Sequence, residues 1–232
     1  MSMIDSEILP LPKGSAQVHW RRSVSARRIS LRIDPCGGAV VVTLPMRAGR
    51  AAGMALVMDH ADWICSRLAE LPTHLPFADG ASVPVHGVPH RIEHVPGRAG
   101  ARIEDGAIRV TGDPEFLTRR VRDLLRAEAQ RKFSLTALEK CAKLERRPRR
   151  VTVKDTRTRW GSCTPDGVLM FSWRLIMAPD FVQDYVIAHE AAHMVHMNHS
   201  ARFWRQVAEL TPHSRAAIVW LHDDGAGLLR IG

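Results

Sequence analysis

The chain has 232 residues, of which 45% are hydrophobic and 25% charged, and this composition is that of a globular protein rather than of a disordered or collagen-like one. Its four cysteines include no C-x-x-C pair, no apolar run reaches the roughly 18 residues of a membrane helix, and residues 1–14 lack the pattern of a secretory signal, so we expect a cytoplasmic protein without disulfides or a membrane partner. The 33 lysines and arginines against 24 acidic residues give a net charge of +9, which favours acidic partners such as nucleic acid.

The first part of the chain is predicted to be rich in antiparallel strands. Residues 1–14 contain two prolines, which argue against regular structure, so we expect an irregular tail. Apolar and polar residues alternate over 29–34, and a β-branched segment at 39–44 follows a glycine-rich turn. This pattern predicts an antiparallel hairpin or meander over residues 18–44.

A helix and further short strands complete an N-terminal β-rich region, which we place at residues 15–112. Apolar residues recur at helical spacing over 48–71, and prolines follow. Residues 80–111 contain β-branched segments separated by glycines, with a tight turn predicted at 104–106.

A second domain, residues 113–232, is predicted to begin with a long basic helix. Asp113 opens it, and acidic residues near its start with basic residues later suit the helix dipole, so we expect it to run to about Leu144. The outward face of this helix and the segment after it are rich in arginine, a pattern shared by solvated surfaces and nucleic-acid contacts. The candidate nucleic-acid contacts are Arg119, Arg126, Arg149 and Arg150.

Residues 150–175 are predicted to form a β-hairpin. Val151 and Val153 alternate with charged residues, a turn signal lies at 164–167, and a return strand is expected over 168–175. An edge strand of this hairpin is suited to pair with an extended peptide.

The segment His189-Glu190-Ala191-Ala192-His193 lies on a helix predicted to start near Pro179 or Asp180. The two histidines are one helical turn apart on the same face, so both are able to bind one zinc ion. Glu190 lies at the flank of the pair, within reach of a zinc-activated water. The helix is apolar nearly all round, which indicates burial, and buried histidines and glutamate need a partner such as a metal.

A zinc site that acts on a substrate needs a third protein ligand and an open fourth position. His196 lies on the same helical face, but it is about 10 Å along the axis from His189 at roughly 1.5 Å per residue. His199 reaches the site if the chain turns after His196, and Ser200 is a suitable N-cap for a helix starting there. We favour His199 as the third ligand and retain His196 as the alternative.

Several short motifs occur in order between residues 150 and 205: R-W-G-S-C at 159–163, S-W-R-L at 172–175, Y-V-I-A-H-E-A-A-H at 185–193, N-H-S at 198–200 and F-W at 203–204. Together they resemble the YgjP-like metallopeptidase family, which is related to the SprT-like and minimal gluzincin-type zinc peptidases. The arginine-rich segment 21–33 is more loosely similar. Ala191 and Ser172 depart from the family pattern, in which Leu and Asn are frequent.

The resemblance implies a zinc peptidase fold with ligands at His189, His193 and His199 and with Glu190 as the catalytic acid and base. We therefore predict an α+β protein with an N-terminal antiparallel β-rich region containing helices. Its C-terminal zincin-like domain carries a β-hairpin and a central H-E-x-x-H helix. One Zn²⁺ is the expected cofactor, and hydrolysis of a peptide or protein substrate is the expected reaction.

Arg159, Trp160 and Tyr185 are predicted to contact the substrate, and simple packing is the alternative for each of them. Two other functions fit the sequence. One is a nucleic-acid-associated binding module that zinc stabilises, and the other is a peptidase that acts on DNA-bound proteins. The basic charge supports both. A purely structural zinc site gives Glu190 no role and usually contains more cysteine, so we favour the peptidase.

Overall fold

The computed structural model describes residues 3–232, which form two compact units: one extends to Thr73 and the other covers His74–Gly232. Both units combine sheets with helices, so the predicted α+β class is confirmed. The boundary at Thr73 differs from the predicted one at residue 112. The strands between residues 82 and 111 therefore belong to the second unit, where they share a hydrophobic core with the long helix that follows them.

The first unit is a four-stranded sheet with two helices. Its elements are β1 (Met3–Leu11), β2 (Gly14–Ser23), β3 (Ser30–Asp34), β4 (Ala39–Pro45), α1 (Arg50–Asp59) and α2 (Ala61–Ala69). The strand order is β1-β2-β4-β3. Alternate residues of β4, such as Val40 and Val42, are fully buried together with Val57 and Ile64 of the helices, so this unit has a hydrophobic core of its own.

Three predictions for this unit need correction. Residues 1–14 are not an irregular tail, because Met3–Leu11 forms β1 at the sheet edge, where proline is tolerated; residues 1 and 2 lie outside the described residues. The β3–β4 hairpin is as predicted, but β2 runs parallel to β4, so residues 18–44 belong to a mixed sheet. The helix predicted at 48–71 is divided at His60, whose backbone is not helical.

The second unit begins with another four-stranded sheet. Its strands are β5 (Ser82–Val85), β6 (Val88–Val95), β7 (Gly100–Glu104) and β8 (Ala107–Thr111), in the order β5-β6-β8-β7. The tight turn predicted at 104–106 joins β7 to β8, and both Asp105 and Gly106 have the positive φ that a two-residue hairpin turn requires. The predicted short strands are therefore confirmed.

The rest of the second unit contains a long helix, a three-stranded sheet and four further helices. In chain order these are α3 (Leu117–Lys143), β9 (Arg150–Lys154), β10 (Gly161–Cys163), β11 (Val168–Ser172), α4 (Asp180–Ala192), α5 (Ala201–Leu210), α6 (Ser214–Asp223) and α7 (Gly225–Leu228), and short 3₁₀ helices at Pro114–Phe116 and Trp173–Met177 precede α3 and α4. The long helix predicted at residues 113–144 is confirmed. None of the helices in the described part of the chain is long and apolar enough to span a lipid bilayer.

The hairpin predicted at residues 150–175 is present in part. β10 and β11 pair antiparallel around the predicted turn at 164–167, but β9 pairs parallel with the other side of β11. The strand order is therefore β10-β11-β9, which makes β10 and β9 the two edges of the sheet.

The β9 edge is covered by a side chain of α3. Gln130 donates to the carbonyl of Val151 at 3.1 Å and accepts from the N–H of Val153 at 3.1 Å. Its amide therefore satisfies backbone groups that a neighbouring strand would otherwise bind. Among the described residues β10 has no comparable cover, so β10 is the edge open to an added strand.

We expect Gln130→Leu to lower the free energy of unfolding by about 1–3 kcal/mol, because it leaves a partly buried carbonyl and N–H without partners. Urea denaturation followed by circular dichroism measures the change. Gln206→Leu is the matched control, since Gln206 bonds Glu209 on an exposed surface and its loss should cost less than about 0.5 kcal/mol. Equal losses in the two variants would contradict the proposed edge cover.

Candidate active site

The carboxyl end of α4 and the turn after it carry the histidine cluster. α4 ends at Ala192, and His193 is its C-cap. The N–H groups of Met194 and His196 donate to the carbonyls of Ala191 and Ala192, respectively, which closes the last turn. The chain then reverses before α5 begins, with Ser200 at the N-cap position, although its side chain makes no capping bond.

This reversal brings His189, His193 and His199 together. One ring nitrogen of each lies within 4.8 Å of the others, and the Nε2 atoms of His189 and His199 are 3.1 Å apart. Two nitrogens bound to one tetrahedral zinc at about 2.0–2.1 Å lie roughly 3.3 Å from each other. The spacing of the His189–His199 pair matches this value, and the three imidazoles form a donor set that could hold a metal ion such as zinc.

His196 contributes its backbone to this cluster rather than its ring. The Nδ1 of His193 lies 2.9 Å from the carbonyl oxygen of His196, so Nδ1–H donates to it and Nε2 is left with a free lone pair. The ring nitrogens that lie close together belong to His189, His193 and His199, and the His196 ring is not among them.

Phe203 of α5 supports all three rings. It is fully buried, stacks on His193 at 4.5 Å between centroids, and contacts His189 at 4.9 Å and His199 at 4.7 Å. No pattern in the sequence predicts this role for Phe203. Apart from the F-W motif at 203–204, its sequence signal is an aromatic residue four positions after a candidate ligand, which an ordinary core position shares.

Burial favours the neutral form of His189 and His193, which is the form that binds a metal. It lowers the pKa of His189 to about 4, with His193 and His199 as smaller causes, and it also lowers the pKa of His193. The Nδ1 of His189 is buried and has no hydrogen-bond partner among the described residues.

Glu190 lies beside the cluster with 7% of its surface exposed. Burial raises the pKa of its carboxyl group to about 7, and the positive charge of Arg159 opposes that shift. A carboxyl group with such a pKa is able both to accept and to return a proton near neutral pH.

Strand β10 passes directly over this carboxyl group. A Cβ atom on Gly161 would lie 2.5 Å from Cγ and 2.7 Å from Oε1 of Glu190, distances that real Cβ contacts do not show. Only glycine therefore allows the observed approach of β10 to Glu190. Gly161 belongs to the R-W-G-S-C motif, which does not by itself predict this contact.

Recesses lie on both sides of Gly161 along β10. One, of about 320 Å³, is bordered by Ser162, Cys163, Met197 and the three histidines. The other, of about 190 Å³, is bordered by Trp160, Tyr185, Val186 and Leu221, and both His189 and Glu190 border the two recesses. Two of the predicted substrate contacts, Trp160 and Tyr185, therefore lie next to Glu190. The third, Arg159, lowers the pKa of the Glu190 carboxyl group through its positive charge.

The four predicted nucleic-acid contacts do not all line one groove. Arg149 and Arg150 border a groove along β9 together with Lys154, and Arg149 also pairs with Asp166 at 2.7 Å. Arg119 and Arg126 lie on α3 outside that groove, where the Arg119 guanidinium stacks on Phe116. Nucleic-acid binding stays a prediction.

Comparison with known proteins identifies a family. A family model described as a YgjP-like, metallopeptidase domain matches residues 27–224, which is most of the chain. This match confirms the resemblance that the short motifs indicated. No curated protein and no solved structure matches the chain significantly.

Proposed function

The chain belongs to the YgjP-like metallopeptidase family, and from that membership we propose that it is a zinc-dependent peptidase acting on a peptide or protein substrate. One observation carries the proposal: three histidine nitrogens lie within 4.8 Å of one another beside a buried glutamate, under an open strand edge. A purely structural site would not require the last two features.

His189, His193 and His199 would hold the ion, since three imidazoles suit zinc better than magnesium or calcium. When bound, zinc supplies Lewis-acid chemistry that polarises a carbonyl group and makes water more acidic. With three protein ligands, a bound ion would stay accessible to the reactants. The carbonyl of His196 orients His193, and the ring of Phe203 supports all three histidines.

Glu190 is proposed as the general base and then the general acid. Its carboxylate accepts a proton from the attacking water as the new C–O bond forms, and returns a proton to the leaving nitrogen as the C–N bond breaks. Its burial raises the carboxyl pKa towards neutrality, which suits both transfers. Gly161 lets β10 lie close enough to fix the carboxylate position.

The substrate is proposed to add as a strand along β10. The carbonyl of Trp160 accepts a hydrogen bond from Ser172, and the N–H of Thr164 donates to the carbonyl of Val168, so both residues pair with β11. Since these groups alternate along an antiparallel pair, Gly161 and Cys163 present their N–H and carbonyl groups to the open side. These backbone groups are available to an extended peptide. The β9 edge is not available in the same way, because Gln130 covers it.

A second role is supported by the groove along β9, where Arg149, Arg150 and Lys154 suit an acidic partner. A zinc-stabilised nucleic-acid-binding module and a peptidase for DNA-bound proteins would both use this groove. The position of Glu190 beside the histidines favours an enzyme over a binding module.

The metal content of purified protein tests the site. We expect about one zinc per chain in the wild type and in His196→Ala, because alanine keeps the backbone carbonyl that His193 uses. We expect His199→Ala to lose most of its zinc. Inductively coupled plasma mass spectrometry measures the zinc content after dialysis. No zinc in the wild type, even after zinc is supplied, would contradict the proposed function.

A further inference from the structure

The smaller recess beside Glu190 has apolar walls from three separate segments. Trp160 precedes β10, Tyr185 and Val186 lie on α4, and Leu221 lies on α6. Leu221 is the only one of these four that comes from the C-terminal helices. Those helices also support the indole, since Gly225 lies close enough to Trp160 for an added Cβ to stand 3.5 Å from its ring.

The size and chemistry of this recess suit one apolar side chain. An apolar cavity of about 150 Å³ accommodates benzene, so a recess of about 190 Å³ has room for the side chain of leucine, methionine or phenylalanine. Glu190 would repel an acidic side chain. A basic side chain would engage the same carboxylate that the proposed reaction requires.

The polarity of β10 indicates which substrate residue reaches the recess. Antiparallel strand pairs outnumber parallel ones two- to threefold, so an antiparallel substrate is the expected arrangement. Its chain would run from the Cys163 end of β10 towards Trp160. The residue after the scissile bond would then lie on the Trp160 side, over the recess.

We propose that this recess selects a medium-sized apolar residue on the carboxyl side of the scissile bond and that Leu221 determines this specificity. The proposal rests on the proposed peptidase function, and it names the substrate class: peptides with leucine, methionine or phenylalanine directly after the cleaved bond. Leu221 acts by setting the width of the recess and not by taking part in the reaction.

Cleavage of matched peptides tests the proposal. The set differs only in the residue after the scissile bond, which is alanine, leucine, phenylalanine, lysine or glutamate. We expect Leu221→Trp to lower kcat/KM for the leucine and phenylalanine peptides about tenfold relative to the alanine peptide. Leu221→Ala should instead shift the preference towards phenylalanine. Ile218→Trp is the control, since Ile218 is 48% exposed on the same helix and should keep the wild-type preference.

Two results would overturn the proposal. One is an unchanged preference in both Leu221 variants. The other comes from a second peptide set that varies only the residue before the scissile bond: a change of preference confined to that set would mean that the substrate runs in the opposite direction. If the wild type cleaves none of the peptides, the proposed function fails separately. Fluorescence anisotropy of labelled peptides with metal-free protein then decides: weaker binding of the leucine peptide, but not the alanine peptide, to Leu221→Trp supports the recess, and equal binding overturns it.

Discussion

Glu190→Gln is expected to lower the rate of peptide hydrolysis by about 10²- to 10⁴-fold, the usual contribution of a general acid and base. The amide has nearly the shape of the carboxylate, so it fills the same space under Gly161. It has no basic oxygen to take the proton of water. The proposed zinc ligands are His189, His193 and His199 and do not include Glu190, so we expect zinc content and folding to be unchanged.

Steady-state kinetics with a cleaved peptide and the zinc content of the same preparation give the two readouts. Glu209→Gln is the matched control, since Glu209 is exposed on α5, and it should keep wild-type kinetics. Full activity in Glu190→Gln would exclude the proposed proton transfer. Loss of zinc together with activity would instead assign Glu190 to the metal site or to the fold.

The sequence pattern predicts the elements of this protein better than their pairing. Four-residue spacing of apolar residues marks α3 because one face of that helix enters the core. The same kind of pattern does not encode strand direction, which is why the parallel pairs β2–β4 and β9–β11 were not predicted. The prolines near the start of the chain indicated a tail because their tolerance at a sheet edge depends on the tertiary structure.

For the candidate site, too, the sequence indicates the residues that share one helix better than those that other elements contribute. The spacing of His189 and His193 follows from helix geometry alone, so the sequence indicates that pair directly. His199 requires a chain reversal, which the sequence left as one of two alternatives. Phe203 and Gly161 belong to other elements, and their contacts with the histidines and with Glu190 depend on tertiary packing that no local period records.

Gly161→Ala is expected to lower kcat by about 100-fold, the cost of moving a catalytic group by about 1 Å. The new methyl group would overlap Cγ and Oε1 of Glu190, so the carboxylate must move. Gly161 does not have the positive φ that would make alanine itself strained, so the fold and the zinc content should be kept. Gly227→Ala is the control, because nothing lies within 4 Å of its added Cβ, and kinetics measured beside it should match the wild type.

Gly161 also lies on the proposed substrate strand, so its loss has two explanations that a double variant separates. If alanine acts by displacing the carboxylate, Gly161→Ala should cost little more in protein that already carries Glu190→Gln, because the group it displaces is already inactive. If alanine acts by blocking the substrate strand, the two losses should multiply and KM should rise. Non-additive losses in kcat would therefore identify Gly161 as a positioning residue for Glu190, whereas multiplied losses would contradict that role.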